Sequence, residues 1–372
     1  MRNHKIYILL MLGLAVSVSP TYAQSVYDQP TAGGGQMIYS HWSIENSDKT
    51  IKLNQFVIPI NGFVPIQDNL EARFSLATVS SRLEQAGTDY KLSGLGDIRL
   101  QFNQSLVSDR LLLSLGLNLP TGKKRLDLAD EWPVMEYLAK DYLDLPVRRY
   151  GEGLGINFLT GVAGQIGEMQ LGASVLYGYN GIYEAYEGGG DYNPGDMFSL
   201  TAGLDTPLKN WVLSGRVSFA AYGTDRLDDE KIFRAGRQLA LQLGVTTEND
   251  NYDFRSNIRY VIRGRNTRYD STEVIFDQLK IYGNEFAWNC SVSFDRSEDY
   301  YVVPSFESRF IGANEYDFEK SHLIGFGVRL GRRFTEDIDA NFGFKYYTGS
   351  ADGGDIDLKG FQLSLNLAAA FR

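Results

Sequence analysis

The residues whose types and spacing invite chemistry lie in DFRSNIRYVIRGRNTRYD, residues 253–270. Arg255, Arg259, Arg263 and Arg265 fall on odd positions, and Phe254, Ile258, Tyr260 and Ile262 fall on even ones. Successive side chains of a strand point to opposite faces, so this segment carries a column of guanidinium groups backed by an apolar face. A guanidinium is a permanent cation with five donors and no acceptor. Its fork matches carboxylate and phosphate oxygens, so the chemistry on offer is anion binding. The same alternation puts Arg73, Arg99, Arg216, Arg309, Arg329, Arg333 and Lys345 on equivalent faces, with the acids Glu71, Asp97, Asp205, Glu285, Glu307 and Asp339 among them. Arg216, Arg255, Arg259, Arg263, Arg265, Glu285, Glu307, Arg309, Arg329 and Arg333 are the expected selectivity set. Two readings stand side by side. A basic wall attracts small anions when water reaches it. Alternatively the charges pair across strands, Glu285 with Arg259 or Arg263 for example, and fill a dry interior.

Covalent catalysis finds little to work with. Past the first 23 residues the chain has only His41 and His322, and its single cysteine is Cys290. Ser321 and His322 are adjacent, so a strand points them to opposite faces. No nucleophile, base and orienting acid fall together, which makes an outer-membrane hydrolase the weakest alternative. One cysteine and two histidines leave no Cys/His metal site, and no intrachain disulfide is available. The acid run Asp228-Asp229-Glu230 reads as a solvated loop, and so do Asp127, Asp130 and Glu131, whose carboxylates offer calcium ligands as the alternative. No metal and no cofactor is expected.

The elements that must position these arginines are strands. In RLLLSLGLNLPTG the odd positions from Leu111 to Leu119 are all leucine. Leu239, Leu241, Leu243 and Val245 alternate with Gln238, Gln242 and Gly244, and Phe286, Trp288, Cys290, Val292 and Phe294 share one face. Sustained period-2 patterning means strand. These runs are about 10 to 14 residues long, beyond the usual 5 to 6 and enough for a tilted membrane-spanning strand. Short turns, such as Gly167-Glu168 and Pro207-Leu208-Lys209, alternate with longer polar loops near 81–93, 122–150, 183–195, 223–235, 267–279, 313–320 and 350–357. That asymmetry belongs to outer-membrane barrels. An N-terminal stretch with Arg2, Lys5, an apolar core and a Thr-Tyr-Ala end reads as a secretory signal. Its loss would take the formal charge from −10 to about −12, which argues against nucleic acid as a partner. The expected organisation is a signal peptide over 1–23, a flexible lead over 24–35 and one barrel over 36–372. The fold class is all-β, a single closed antiparallel transmembrane barrel. It has 16 strands, with 14 as the alternative, long extracellular loops and short periplasmic turns.

The longest connection, GKKRLDLADEWPVMEYLAKDYLDLPVRRYG, sets apolar residues at roughly helical spacing among both signs of charge. It folds either inward as a constriction, with Asp130, Glu131, Trp132, Arg148 and Arg149 as its chemistry, or outward as a solvated flap.

Two segments carry a resemblance. LSGLGDIRLQFNQSL (92–106) precedes LLLSLGLNLPTGKKR (111–125), and GEGLG (151–155) follows. Together they resemble the outer-membrane channels associated with meta-cleavage phenol degradation. The resemblance covers about a third of the chain and implies a barrel in the bacterial outer membrane that passes small molecules. The expected function is passive or facilitated uptake of small, preferably anionic organic solutes. A structural or adhesive barrel with a filled interior is the alternative. The expected partners are outer-membrane lipid, the solute, and the barrel assembly machinery during biogenesis.

Overall fold

The structure is a computed structural model that describes residues 30–47, 49–249, 252–270, 272–295 and 299–371. The expected signal peptide and residues 24–29 of the expected lead lie outside the described residues, as do residues 250–251 and 296–298. The chain first forms β1 (Thr31–Asn46), β2 (Lys49–Gln67), β3 (Leu70–Gln85), β4 (Thr88–Leu95), β5 (Ile98–Leu106), β6 (Leu111–Leu119) and the short helix α1 (Trp132–Leu138). It continues with β7 (Gly155–Ile166), β8 (Met169–Asn180), β9 (Tyr192–Asn193), β10 (Met197–Leu208), β11 (Trp211–Tyr222), β12 (Thr224–Leu227), β13 (Glu230–Arg234), β14 (Gln238–Asn249) and β15 (Tyr252–Arg263). The last third holds β16 (Asn266–Tyr269), β17 (Ile275–Leu279), β18 (Glu285–Asp295), β19 (Tyr300–Ile311), β20 (Ser321–Thr335), β21 (Ile338–Ala351) and β22 (Ile356–Phe371).

Each long strand pairs antiparallel with its sequence neighbour, and β1 closes the ring by pairing with β22 from Thr31↔Phe371 to Asn46↔Ile356. β4 and β5 both ladder onto β3, so they are two halves of one broken strand. The result is a closed 16-strand barrel. Residues 31–35 of the expected lead are already ladder residues of β1. Closure leaves no sheet edge in the membrane, the condition for a sheet to span hydrocarbon. Five short strands, in the order β17-β16-β13-β12-β9, make a separate sheet in the loops.

Two loop expectations fail. Residues 81–93 are not a long loop: β3 and β4 run on and turn over Ala86 and Gly87, both at positive φ (52° and 80°). Gly87 suits that region because it has no Cβ. Residues 350–357 are likewise a tight turn through Asp352–Gly354. The connections at 120–154, 181–196, 223–237 and 264–284 are long, all at one end; the opposite end has only short turns. By that asymmetry the loop end is extracellular.

The outer surface answers which face is oily. Leu241 (43% exposed), Phe294 (38%), Ile258 and Tyr260 are all open to the surroundings with no second layer over them. Trp211, Tyr252, Tyr300 and Phe334 ring the short-turn end, and Tyr177, Tyr179, Phe198, Phe310 and Tyr346 ring the loop end, all exposed. Apolar walls between aromatic girdles are the exterior of an outer-membrane barrel. Tyr222 sits on the even, inward face of β11 with Ala220 and Ser218.

Candidate lumen and constriction

Inside the barrel the alternation puts Arg73, Arg99, Arg216, Arg255, Arg259, Arg263, Arg309, Arg329, Arg333 and Lys345 on the inner wall, with Glu71, Asp205, Glu285, Glu307 and Asp339. One lateral row runs Arg216↔Gln242↔Arg259↔Ala287↔Arg309. Cations on alternate strands of one row stand about 10 Å apart, twice the strand spacing. Along β15, Arg255, Arg259 and Arg263 descend in steps of about 13 Å.

The acids neutralise part of this wall. Glu285 is 4% exposed; it accepts from Arg263 at 2.6 Å and from Arg309 at 3.1 Å. Arg263 also donates to the carbonyl of Gly283 at 2.7 Å. The bridge is therefore two guanidiniums on one carboxylate, with a net positive charge. Glu71 takes Arg73 at 2.9 Å and the Asn103 amide at 2.7 Å. Glu307 takes Lys345 at 3.0 Å, and Asp339 accepts from the Tyr301 hydroxyl at 2.8 Å. The expected pairing of Glu285 with Arg259 does not form. Among the described residues Arg99, Arg216, Arg255, Arg259 and Arg329 have no ion pair. Arg99, Arg259, Asn289, Arg329 and Arg333 all point inward and are exposed, so water reaches the interior. Two large inward side chains lie flat on glycines rather than across the bore: a Cβ on Gly331 would fall 1.9 Å from the Tyr301 ring, and one on Gly360 would fall 2.7 Å from Trp42.

Arg265 is a correction. It lies past the end of β15 in the loops, its side chain is 65% exposed, and it pairs with Glu315 at 2.8 Å. Strand alternation was carried two residues beyond the strand, through Gly264, where the chain turns away.

The 120–154 connection folds inward. Val134, Leu138 and Leu143 are 0% exposed. They pack with Tyr142, Leu145 and Tyr150 against Trp42, Leu53, Val79, Leu83, Leu92, Tyr347 and Leu358 of the inner wall. Burying one such side chain stabilises by about 1.5–3 kcal/mol, and this burial opposes the entropy cost of ordering the segment. Two wall residues fix its register. The Gln55 amide donates to the carbonyl of Val147 at 2.7 Å and accepts from its N–H at 3.1 Å. Tyr347 donates to Asp144 at 2.9 Å. Within the loop, Arg148 pairs with Asp141 at 3.1 Å and donates to the Leu143 carbonyl at 2.9 Å. Burial, and then the charge of Arg309, lower the Arg148 pKa, while Asp141, Asp144 and Glu285 hold it up. Arg148 is therefore within electrostatic reach of Arg309 and Glu285 of the bridge.

The other expected constriction residues divide. Arg149 pairs with Glu152 at 2.7 Å and stands beside Tyr183 and Tyr192. Asp130, Glu131 and Trp132 are not at the bore, which corrects the expectation. Asp130 and Glu131 line a surface crevice with Asp89 and Lys91 of the outward face of β4, Glu131 pairs with Lys123, and Trp132 sits edge-on to Tyr186 at 5.1 Å. Of Trp132, Met135, Leu138 and Tyr142, which share a roughly helical spacing, Leu138 is buried in α1 beside Val134, Trp132 and Met135 are half-buried, and Tyr142 lies beyond the helix. Gln55, Asp141, Asp144 and Tyr347 were not anticipated. The available signal was Gln55 itself, a polar residue in the inward series Ile51, Leu53, Gln55, Val57. Ser321 is buried and inward, whereas His322 is exposed, outward and stacked on Phe310 at 6.3 Å, so the two do not meet.

No protein-family model and no curated protein matches this chain. Solved barrels are similar in architecture. A BenF-like porin from Pseudomonas fluorescens Pf-5 has 9% identity over 94% of this chain and 100% of that chain, with a TM-score of 0.48. Pseudomonas aeruginosa OccK2 in complex with glucuronate has 10% identity over 93% and 99%, with a TM-score of 0.46. The CymD monoaromatic hydrocarbon channel has 11% identity over 93% and 90%, with a TM-score of 0.45. Scores of this size carry no information on cargo; the strand ladder and the oily exterior by themselves make the chain an outer-membrane-type β-barrel.

Proposed function

We propose that the protein is a passive channel of the bacterial outer membrane that takes up small organic solutes and prefers anions. The observation that carries this reading is the set of inward arginines with neither an ion pair nor burial, Arg259 and Arg329 above all. A cation held in a water-filled bore with low-dielectric walls raises the local concentration of anions. The constriction is formed by Arg148 on the inward loop and by the net-positive Arg263–Glu285–Arg309 bridge on the wall, with Arg216, Arg255 and Arg333 continuing the positive surface. The resemblance of residues 92–125 and 151–155 to channels of meta-cleavage phenol degradation supports small-molecule passage. Lipid around the barrel, and the assembly machinery that inserts it, are the partners this function requires.

The filled structural barrel remains the second reading, favoured by the apolar cluster that occupies the interior beside β1–β4 and β20–β22. Purified protein in planar bilayers decides between them. The channel reading expects discrete conductance steps and a reversal potential in a salt gradient that reports anion over cation. Arg259→Ser together with Arg329→Ser should reduce that preference. Absence of steps from folded protein would favour the filled barrel, and an unchanged preference would remove the basic lumen as its cause.

A further inference from the structure

Residues 92–97 (LSGLGD), 119–122 (LPTG) and 150–153 (YGEG) are far apart in sequence yet meet at one carboxylate. β6 stops at Leu119, so above that level β4 has no barrel strand on its far side. The two ends of the inward loop fill the place. Leaving β6, Thr121 accepts the Ile98 N–H at 3.0 Å, the Gly122 N–H donates to Asp97 Oδ1 at 2.8 Å, and the Lys123 N–H donates to the Leu95 carbonyl at 3.3 Å. Returning to β7, the Tyr150 hydroxyl donates to the Leu92 carbonyl at 2.7 Å and the Glu152 N–H donates to Asp97 Oδ2 at 2.8 Å. Asn118 donates to the same Oδ2 at 2.8 Å and to the Gly153 carbonyl at 3.3 Å. The fit admits no side chain at the crossing. A Cβ on Gly122 would stand 2.2 Å from the Tyr150 carbonyl oxygen, and one on Gly151 would stand 2.7 Å from the Gly122 carbonyl carbon.

We propose that Asp97 is the positioning residue of the constriction: it ties together the departing and returning strands of the inward loop, so that Arg148 is a fixed part of the bore rather than a gate. This rests on the channel reading for its consequence, but not for its geometry. Three donors converge on Asp97, and an ionised carboxylate is acceptor-only. Asparagine, of the same shape, turns an N–H₂ toward one of those donors. The tie acts at the stem, where it shortens the span of chain left free between β6 and β7. The Gln55 and Tyr347 contacts then set the register of a loop whose ends no longer move.

The test uses the full-length mature barrel in a Cys290→Ser background, with Asp97→Asn as the variant. Amide hydrogen exchange over 123–151 and single-channel recording are the two readouts. The expected result is exchange at least tenfold faster in that segment, and steady conductance replaced by flicker among substates. The heat-modifiable electrophoretic mobility of the barrel should not change. The Cβ built on Gly94 lies 3.4 Å from the Cβ of Lys123, near the separation a disulfide needs. Gly94→Cys with Lys123→Cys, added to Asp97→Asn and oxidised, should restore protection and steady conductance, and reduction should abolish both. A residue that served barrel folding alone would show no such redox-dependent rescue. If Asp97→Asn fails to fold, Gly122→Ala opens the same crossing with the carboxylate intact and should give the same loosening. Unchanged loop protection in either folded variant overturns the proposal. If the native protein does not conduct, the channel reading fails, while the exchange data still decide the role of Asp97.

Discussion

Replacing Glu285 by glutamine removes the only negative charge from the bridge with Arg263 and Arg309 while preserving side-chain shape. Glu285 is 4% exposed, and the side chains of Arg263 and Arg309 are 15% and 20% exposed. Breaking a fully buried ion pair costs about 3–5 kcal/mol; partial solvation of both arginines here brings the expected loss to about 1–3 kcal/mol. Permeation should move the opposite way. One net positive charge added about 6 Å from an ion in a water-filled bore lowers an anion's energy by about 0.7 kcal/mol and raises a cation's by as much, roughly a tenfold change in relative permeability. Glu285→Gln should therefore unfold at lower urea or temperature and yet prefer anions about ten times more strongly. The assays are heat-modifiable mobility across a urea series and reversal potentials in a potassium chloride gradient. A folded Glu285→Gln barrel whose anion preference is unchanged or weaker would place the bridge off the conduction path and refute the reasoning.

Gly331→Ala should lower conductance, because a Cβ 1.9 Å from the Tyr301 ring drives that ring off the wall; adding Tyr301→Ala should recover it. Leu138→Ala removes a fully buried side chain from the loop cluster and should cost about 2–5 kcal/mol of local stability, read as faster amide exchange over 132–145 with the β7–β8 ladder unaffected. The extracellular sheet should loosen in acid. A hydrogen bond from Arg268 lowers the Asp277 pKa, one from Lys231 lowers that of Glu273, and one from Arg265 lowers that of Glu315. A depressed carboxylate pKa contributes stability that is present above the unfolded value and lost as pH falls through the folded one. Protease nicking within 224–234 and 266–279 should thus rise below about pH 4 and be flat between pH 6 and 8.

The strands were legible because each needs only its own residues. Leu239, Leu241 and Leu243 against Gln238, Gln242 and Gly244 set both the element and its oily side, and the 16 strands expected from such runs are the number in the barrel. Misreadings fell where the local pattern ended. Polar residues at 81–93 suggested a loop because β3 and β4 rise past the apolar band, where an outward face is solvated and no longer needs to be oily. Arg265 was assigned by a parity that Gly264 had already broken.

The sequence by itself determined which face of each strand meets lipid and which meets the lumen, and hence that the inner wall is rich in arginine. Alternation is a property of the backbone's period of two, and it acts over neighbouring residues. Only the tertiary structure decided which arginines are neutralised, which stay open to water, and that the long loop turns inward. Those outcomes depend on contacts such as Tyr347 with Asp144, 203 residues apart, and on three segments converging at Asp97. No local periodicity encodes them, because they exist only once the sheet has closed and brought distant strands to one rim.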